Sequence, residues 1–523
     1  MMKNKILSML GAGLLMLTLS ACHEQSDTLL PYDHNDELSF GEAEKSYAGK
    51  FKVLWNALNQ NYSLWDYERE NGLDWDAVYD EYLPQFEELD KQDDVSDDVL
   101  EELLAKVVAP LHDGHMSVMV KNHATGNYVK AIPARIRNLA RPDYVVSKSY
   151  HPSLEYYSNV ENGEIEVDEE GNPCYMEYSS SVEKLMEYFT ETQGIGLQWI
   201  VKEIDKLQEL VTPTVEQVDR LHALETLRKE IMKAETNHDV ATFNALALQY
   251  GYLGVPGFDP IFADFQDFGM TIRYALLKGN VAYLYISDFS LLPYLSEEYH
   301  KDYFAKANSQ ALEQAEKLKN VWEHWFDDIQ QLHKNGKLGG VIIDVRGNGG
   351  GFMHDFQYVM GALLPSGGFS FYQMRFKRGT GRLDYSPLMP MVMPTMNEAH
   401  ETITEPIAVL ANCGSVSMSE ITSLSTKYID NARLIGKRTW GGLCALSGNE
   451  SFSYNYVTHI GVEDVTPVYV YLPMVASFTH EGKILEGIGI TPDIEVDLDV
   501  EQFKLTGKDN QLDRALEYIR TGK

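Results

Sequence analysis

A chain of 523 residues with 44% hydrophobic and 11% aromatic content carries enough apolar side chains for a folded core, and its length predicts two or three domains. The formal net charge of -34 excludes nucleic acid and anionic lipid as electrostatic partners, because such a surface repels phosphates instead of releasing their counterions. The cysteines Cys22, Cys174, Cys413 and Cys444 contain no C-x-x-C pair, so neither a disulfide framework nor a zinc site follows, and no metal or cofactor is predicted.

At the N-terminus, Lys3 and Lys5 precede an apolar run from Ile6 to Leu19, the pattern of an export signal too short to span a bilayer. Leu19-Ser20-Ala21-Cys22 resembles the lipobox of bacterial lipoproteins. That resemblance implies removal of residues 1–21 and acylation of Cys22, which would hold the chain at the bacterial cell envelope, facing the periplasm or the exterior. An ordinary signal peptide with an incidental cysteine is the alternative. Residues 22–41 read as an acidic tether.

Residues 42–120 read as an N-terminal helical domain. Phe51, Leu54, Trp55, Leu58 and Tyr62 share one helical face, Trp75, Tyr79 and Tyr82 continue the pattern, and Val99, Leu103, Leu104 and Val107 mark a helix stopped by Pro110. Two histidines, His112 and His115, then flank Gly114 before an alternating strand-like run. Each by itself reads equally as a hydrogen-bonded structural histidine.

Residues 121–270 read as an intermediate region with a helical insertion. Helices are expected from Val182 to Val211 and after the Thr214-x-x-Gln217 capping box, with Val218, Leu221, Leu224 and Leu227 as a packing stripe. This helical insertion is expected to cover or gate a cleft.

From 271 to 505 the period changes to that of an α/β core. Thr271 to Leu277 and Val281 to Ile286 predict a hairpin about Lys278-Gly279-Asn280. A long helix carries Val321, Trp322, Trp325, Phe326, Ile329 and Leu332, and buried-strand runs follow at Val341 to Val345 and Ile407 to Leu410. Further strands are expected at Leu434-Ile435, Val468 to Leu472 and Ile494 to Val496, and residues 506–523 read as a C-terminal tail or helix.

The strand at 341–345 runs into Arg346-Gly347-Asn348-Gly349-Gly350-Gly351. A nucleotide loop fails there: no G-x-x-x-x-G-K-[ST] is present, and G-x-G-x-x-G would need glycine at Phe352. What remains is a loop without side-chain bulk, whose backbone donors can closely approach a carbonyl. The second strand, at 407–410, passes through Asn412-Cys413-Gly414-Ser415-Val416-Ser417 into a helix whose apolar positions include Ile421 and Leu424. Unpaired N–H groups at such a turn suit an oxyanion. Ser417 and Glu420 equally spell a capping box, which needs no catalysis.

Four motifs in order carry a resemblance: Gly340 to Gly351, the Ser415 to Glu420 turn, Gly436-Lys437-Arg438-Thr439-Trp440-Gly441-Gly442, and Glu486-Gly487-Ile488-Gly489-Ile490-Thr491-Pro492-Asp493. Together they resemble the carboxyl-terminal processing, or tail-specific, serine protease family. Thr439 to Gly442 and Leu111-x-Asp113-Gly114-His115 resemble its tricorn-core branch. The resemblance implies a ClpP/crotonase-like α/β protease core with an N-terminal helical domain and a largely helical insertion, possessing a peptide or protein as substrate.

Carried over by residue, the resemblance implies Ser417 as nucleophile, His115 as general base and Glu486 as distal acid. Met418 and either Gly349 or Gly350 would supply the oxyanion N–H groups. The lysine base of the processing branch is replaced by Gly442, and the serine that the tricorn branch places before its histidine is replaced by Gly114. These two glycines motivate the alternative of a peptide-binding lipoprotein on the same fold with weak or no catalysis, and esterase-like hydrolysis would share the site.

Overall fold

The computed structural model describes residues 46–138, 154–157, 200–208, 213–236, 272–304, 309–379, 381–396, 400–445, 459–463, 465–499 and 508–523, with Arg141, Asp143 and Leu210. The export signal, Cys22, the tether, Cys174 and most of the expected Val182 to Val211 helix lie outside the described residues. No described helix is long and apolar enough to cross a membrane. The chain divides into two compact units. One takes residues up to Pro133 with Gln373–Met389 and Cys444–Phe478, and the other takes Ala134–Tyr372, Pro390–Leu443 and Thr479–Lys523.

The first unit opens with helices Tyr47–Asn61, Trp65–Glu70, Trp75–Leu89 and Asp97–Val108. Three of them begin at side-chain caps, Ser46, Asp74 and Ser96, each accepting an otherwise unpaired N–H of the first turn. Their shared core is aromatic: Phe51 stacks on Phe86 at 4.7 Å and Trp65 packs on Trp75 at 4.9 Å. Segments 373–389 and 444–478, expected within the α/β core, group here: Arg375 and Arg382 pair with Asp66 and Asp76, and strand Ser117–Lys121 pairs antiparallel with Val468–Tyr471, Val118 facing Val470. That pairing belongs to a four-stranded sheet completed by Tyr128–Ala131 and His459–Ile460.

The second unit is built on six strands: β1 (Ile272–Leu277), β2 (Val281–Ile286), β3 (Gly340–Asp344), β4 (Ile407–Ala411), β5 (Ala432–Gly436) and β6 (Ile494–Glu495). Their spatial order is β6-β5-β4-β3-β2-β1, with β1 and β2 antiparallel and every other neighbouring pair parallel. The hairpin turn has positive φ at both Gly279 (88°) and Asn280 (57°), the twist that a two-stranded ribbon favours. Strands β3 and β4 are buried at every position, as expected of a parallel sheet covered on both faces. Helix α1 (Ser309–Lys334) packs on β1 and β2, and α2 (Met418–Ser425) follows β4. Helix α3 (Asn510–Thr521) lies against β3, β4 and β5, its Leu512, Ala515, Tyr518 and Ile519 sharing a core with Ile342, Ala408 and Leu410. In the β3–β4 register, Asp344 faces Leu410, so the loops leaving these strands emerge side by side at the carboxyl end of the sheet. In the intermediate region, Thr214 and Gln217 exchange both bonds of the expected capping box at the start of helix Val215–Thr236.

Candidate active site

The glycine loop after β3 is fixed at its base by charge. The buried Arg346 guanidinium meets Asp344 at 2.6 Å and Asp509 at 2.7 Å, and its Nη1 donates to Gln511 Oε1 at 2.9 Å. Burial alone would penalise this cation, but the two carboxylates overcome the penalty and hold its pKa well above the usual guanidinium value. Asn348 then shapes the loop from within. Its Nδ2 donates to the Ile286 carbonyl and its Oδ1 accepts the Gly350 N–H at 2.8 Å. Phe289 runs beside the loop, its N–H donating to the Gly350 carbonyl and its own carbonyl accepting the Phe352 N–H.

The turn after β4 lies against that loop. Ser415 Oγ donates to the Val345 carbonyl, Ser419 Oγ donates to the Asn348 carbonyl, and the Val416 N–H reaches the same Asn348 oxygen. Ser415 and Ser419 are thus structural. Cys413 is a buried free thiol whose pKa burial pushes up to about 12, which suits a packing role.

Ser417 stands between them at φ 57° and ψ -115°; with Asn280 it is one of two non-glycine residues at positive φ among those described. Such a conformation costs about 1–3 kcal/mol and persists only where its surroundings fix it. Ser417 occupies the N-cap position of α2, yet its hydroxyl makes no capping bond, which corrects the capping-box reading. Glu420 makes only the other half of a box: its carboxylate lies by the Ser417 N–H and also accepts from Thr439 Oγ1, Gly441 N–H and Gly442 N–H outside the helix. The Ser417 Oγ therefore stays free for other chemistry while its own N–H donates to the Gly442 carbonyl.

Two N–H groups beside it are unengaged by any described residue: those of Met418 and Gly349. Gly350, the other loop donor expected from the resemblance, is narrowed out because its N–H is committed to Asn348. The closeness of loop and turn is visible at Gly350, where an added Cβ would stand 2.5 Å from Ser417 Cβ and 3.0 Å from the Met418 nitrogen. Glu486 is fully buried, and one of its oxygens accepts the Leu443 N–H at 2.6 Å. It therefore grips the strap that also carries Gly442.

His115 belongs to the first unit. Asp113 Oδ1 accepts the His115 and Met116 N–H groups at 2.8 and 2.6 Å, which sets the turn before the strand. The His115 Nδ1 is buried with no hydrogen-bond partner among the described residues, and burial pushes its pKa down to about 4, so the imidazole is neutral near pH 7. His112 is instead the structural histidine: its Nδ1 and N–H both reach the buried Glu68, which also accepts Tyr62 Oη–H.

Sequence reasoning missed the role of Glu420, Thr439 and Arg141 around the serine turn. Arg141 donates to the carbonyls of Thr439 and Arg438, and Asn138 to that of Trp440. The only sequence signal was a glutamate amid the apolar positions of a short helix, a place where a carboxylate needs a partner.

Residues 280–496 match Peptidase family S41 and residues 43–105 match the tricorn protease C1 domain. The chain is 28% identical to the tricorn protease of Thermoplasma volcanium over 180 residues, 34% of this chain and only 14% of that protein. It is 28% identical over 170 residues to a carboxy-terminal-processing protease of Bartonella bacilliformis, 32% of this chain and 34% of that protein. Among solved structures, mature CPAF complexed with lactacystin aligns over 92% of this chain and 100% of that one, at 11% identity and a TM-score of 0.46. Residues 280–496 thus match the S41 peptidase family and residues 43–105 the tricorn C1 domain, and the chain spans well under two thirds of the length of the curated relatives it resembles.

Proposed function

We propose that this chain is a serine endopeptidase that opens peptide bonds through an acyl-enzyme on Ser417, and that it is exported and lipid-anchored at Cys22. The observation that carries the reading is Ser417 itself: a strained serine at a helix mouth whose hydroxyl makes no cap, near the N–H groups of Met418 and Gly349, which no described residue engages. Ser417 Oγ attacks the substrate carbonyl while His115 takes its proton, which a neutral imidazole can do. The Met418 and Gly349 N–H groups receive the oxyanion, each such donor being worth roughly 3–4 kcal/mol. His115 then returns the proton to the leaving amine, and water releases the acyl group by the same steps in reverse order. Glu486 serves as the distal acid for the imidazolium.

A fluorophosphonate probe tests this, because it forms a bond only with an activated serine. Folded native protein is expected to label and to cleave a peptide mixture. Ser417→Ala is expected to do neither, and His115→Ala to lose at least about a thousandfold in both. No labelling of folded native protein, or equal labelling of Ser417→Ala, would refute the reading; the first result would favour a peptide-binding protein on the same fold.

A further inference from the structure

The positive φ of Ser417 has to be held in place, and the hydrogen bonds around it close into a ring. Glu420, one helical turn on and fully buried, gathers three donors on one carboxylate. Oε1 accepts Thr439 Oγ1–H at 2.5 Å and Gly441 N–H at 2.8 Å, and Oε2 accepts Gly442 N–H at 2.5 Å. Thr439 Oγ1 in turn accepts the Ile490 N–H at 2.7 Å. The strap then returns to the serine: the Gly442 carbonyl accepts the Ser417 N–H at 3.0 Å, and the Trp440 N–H donates to the Ser415 carbonyl at 3.1 Å. The carboxylate also lies by the Ser417 N–H at the start of its own helix, so it joins that helix start to a different segment.

We propose that Glu420 is a positioning residue whose ionised carboxylate fastens the 439–442 strap, which through the Gly442 carbonyl holds Ser417 in its strained conformation and aims the Met418 N–H at the oxyanion. This rests on Ser417 being the nucleophile. Three donors need an acceptor-only group: once a proton sits on one oxygen, that oxygen becomes a donor and a strap N–H loses its partner.

The groups facing Glu420 are Thr439, Gly441 and Gly442 from the strap and the Ser417 N–H from its own helix start, with Arg141, Arg438 and Cys413 as the nearby charged or titratable side chains. Burial raises the Glu420 pKa to about 7, against the pull of the strap hydrogen bonds, whereas burial puts His115 at about 4. A raised carboxyl pKa contributes stability below the ordinary carboxylate range and loses it as pH rises through about 7. The strap needs the opposite form. Activity supported by Glu420 thus falls through about 7 as pH drops, well before His115 is protonated.

The test is the rate of fluorophosphonate labelling between about pH 5 and pH 8.5, on native protein and on Glu420→Gln, Thr439→Val and Thr439→Ser, each first checked for native near-ultraviolet circular dichroism. Native protein is expected to lose about tenfold or more in rate through a step near pH 7. Glu420→Gln should label about tenfold to a hundredfold more slowly at pH 8 and show no such step. Thr439→Val should slow labelling, and Thr439→Ser, which keeps the hydroxyl, should recover it. A native rate in Glu420→Gln, or a retained step near pH 7, overturns the proposal. If Glu420→Gln does not fold, equal rates for the two Thr439 variants overturn it instead. Native protein that never labels removes the nucleophile reading and this proposal with it, a result distinct from labelling that ignores Glu420.

Discussion

Replacing Gly350 by alanine tests the contact on which the site depends. At φ 101° an alanine is strained, at a cost of about 1–2 kcal/mol. Its Cβ would also stand 2.5 Å from Ser417 Cβ, 2.9 Å from the Val416 carbonyl oxygen and 3.0 Å from the Met418 nitrogen. None of these can yield without moving the serine turn, and overpacking of this kind adds about 1–3 kcal/mol. The expected loss of stability is therefore about 2–5 kcal/mol. Gly367 supplies the control: its φ is 111°, but an added Cβ meets nothing within 4 Å. Gly367→Ala carries the strain alone, about 1–2 kcal/mol. Denaturant unfolding of both variants separates the two contributions, and fluorophosphonate labelling reports on the serine. A displacement of about 1 Å at the reacting atom should slow labelling by about a hundredfold in Gly350→Ala and leave Gly367→Ala unchanged. If Gly350→Ala is no less stable than Gly367→Ala and labels at the native rate, the glycine loop does not abut the serine as described.

Two further outcomes are expected. Arg346→Leu leaves the Asp344 and Asp509 carboxylates buried without their cation and should lower unfolding stability by about 3–5 kcal/mol in denaturant titration; a loss below about 1 kcal/mol would refute the role assigned to that pair. Lipidation at Cys22 predicts that the protein isolated from bacterial cells enters the detergent phase of a cloud-point separation and that Cys22→Ser stays in the aqueous phase; identical partitioning of the two would refute the anchor.

Much of the fold was legible because its signals are local. The hairpin about Gly279-Asn280, the long helix through Trp322 and Trp325, and the buried strands at 341–345 and 407–410 each announce themselves by period and turn chemistry. The Thr214 capping box was legible for the same reason, since both partners lie within one helical turn. Ser417 and Glu420 spell a similar pattern and do something else. Nothing in the letters tells that this glutamate, besides lying by its helix start, also reaches a strap about twenty residues on; that depends on the backbone angle at Ser417 and on the tertiary position of Thr439 to Gly442. Likewise, the grouping of 444–478 with the N-terminal region depends on Ser117–Lys121 finding Val468–Tyr471, a pairing that no local window contains. Of the candidate site, the nucleophile and its glycine loop follow from motif order, whereas the engagement of Gly350 by Asn348 depends on how the loop folds back on itself.

The partners of Arg346 also order events in time. Its guanidinium sits at the start of the glycine loop, and Gln511, 165 residues further along, is one of the groups it holds. A ribosome making this chain completes Ser417, the loop and the Glu420 strap before it supplies Asp509 and Gln511. Until then, among the described residues, Arg346 has only Asp344 as a carboxylate partner at the root of the loop. The nascent chain thus carries its serine with the loop's anchor unfinished until helix α3 and the residue before it are made.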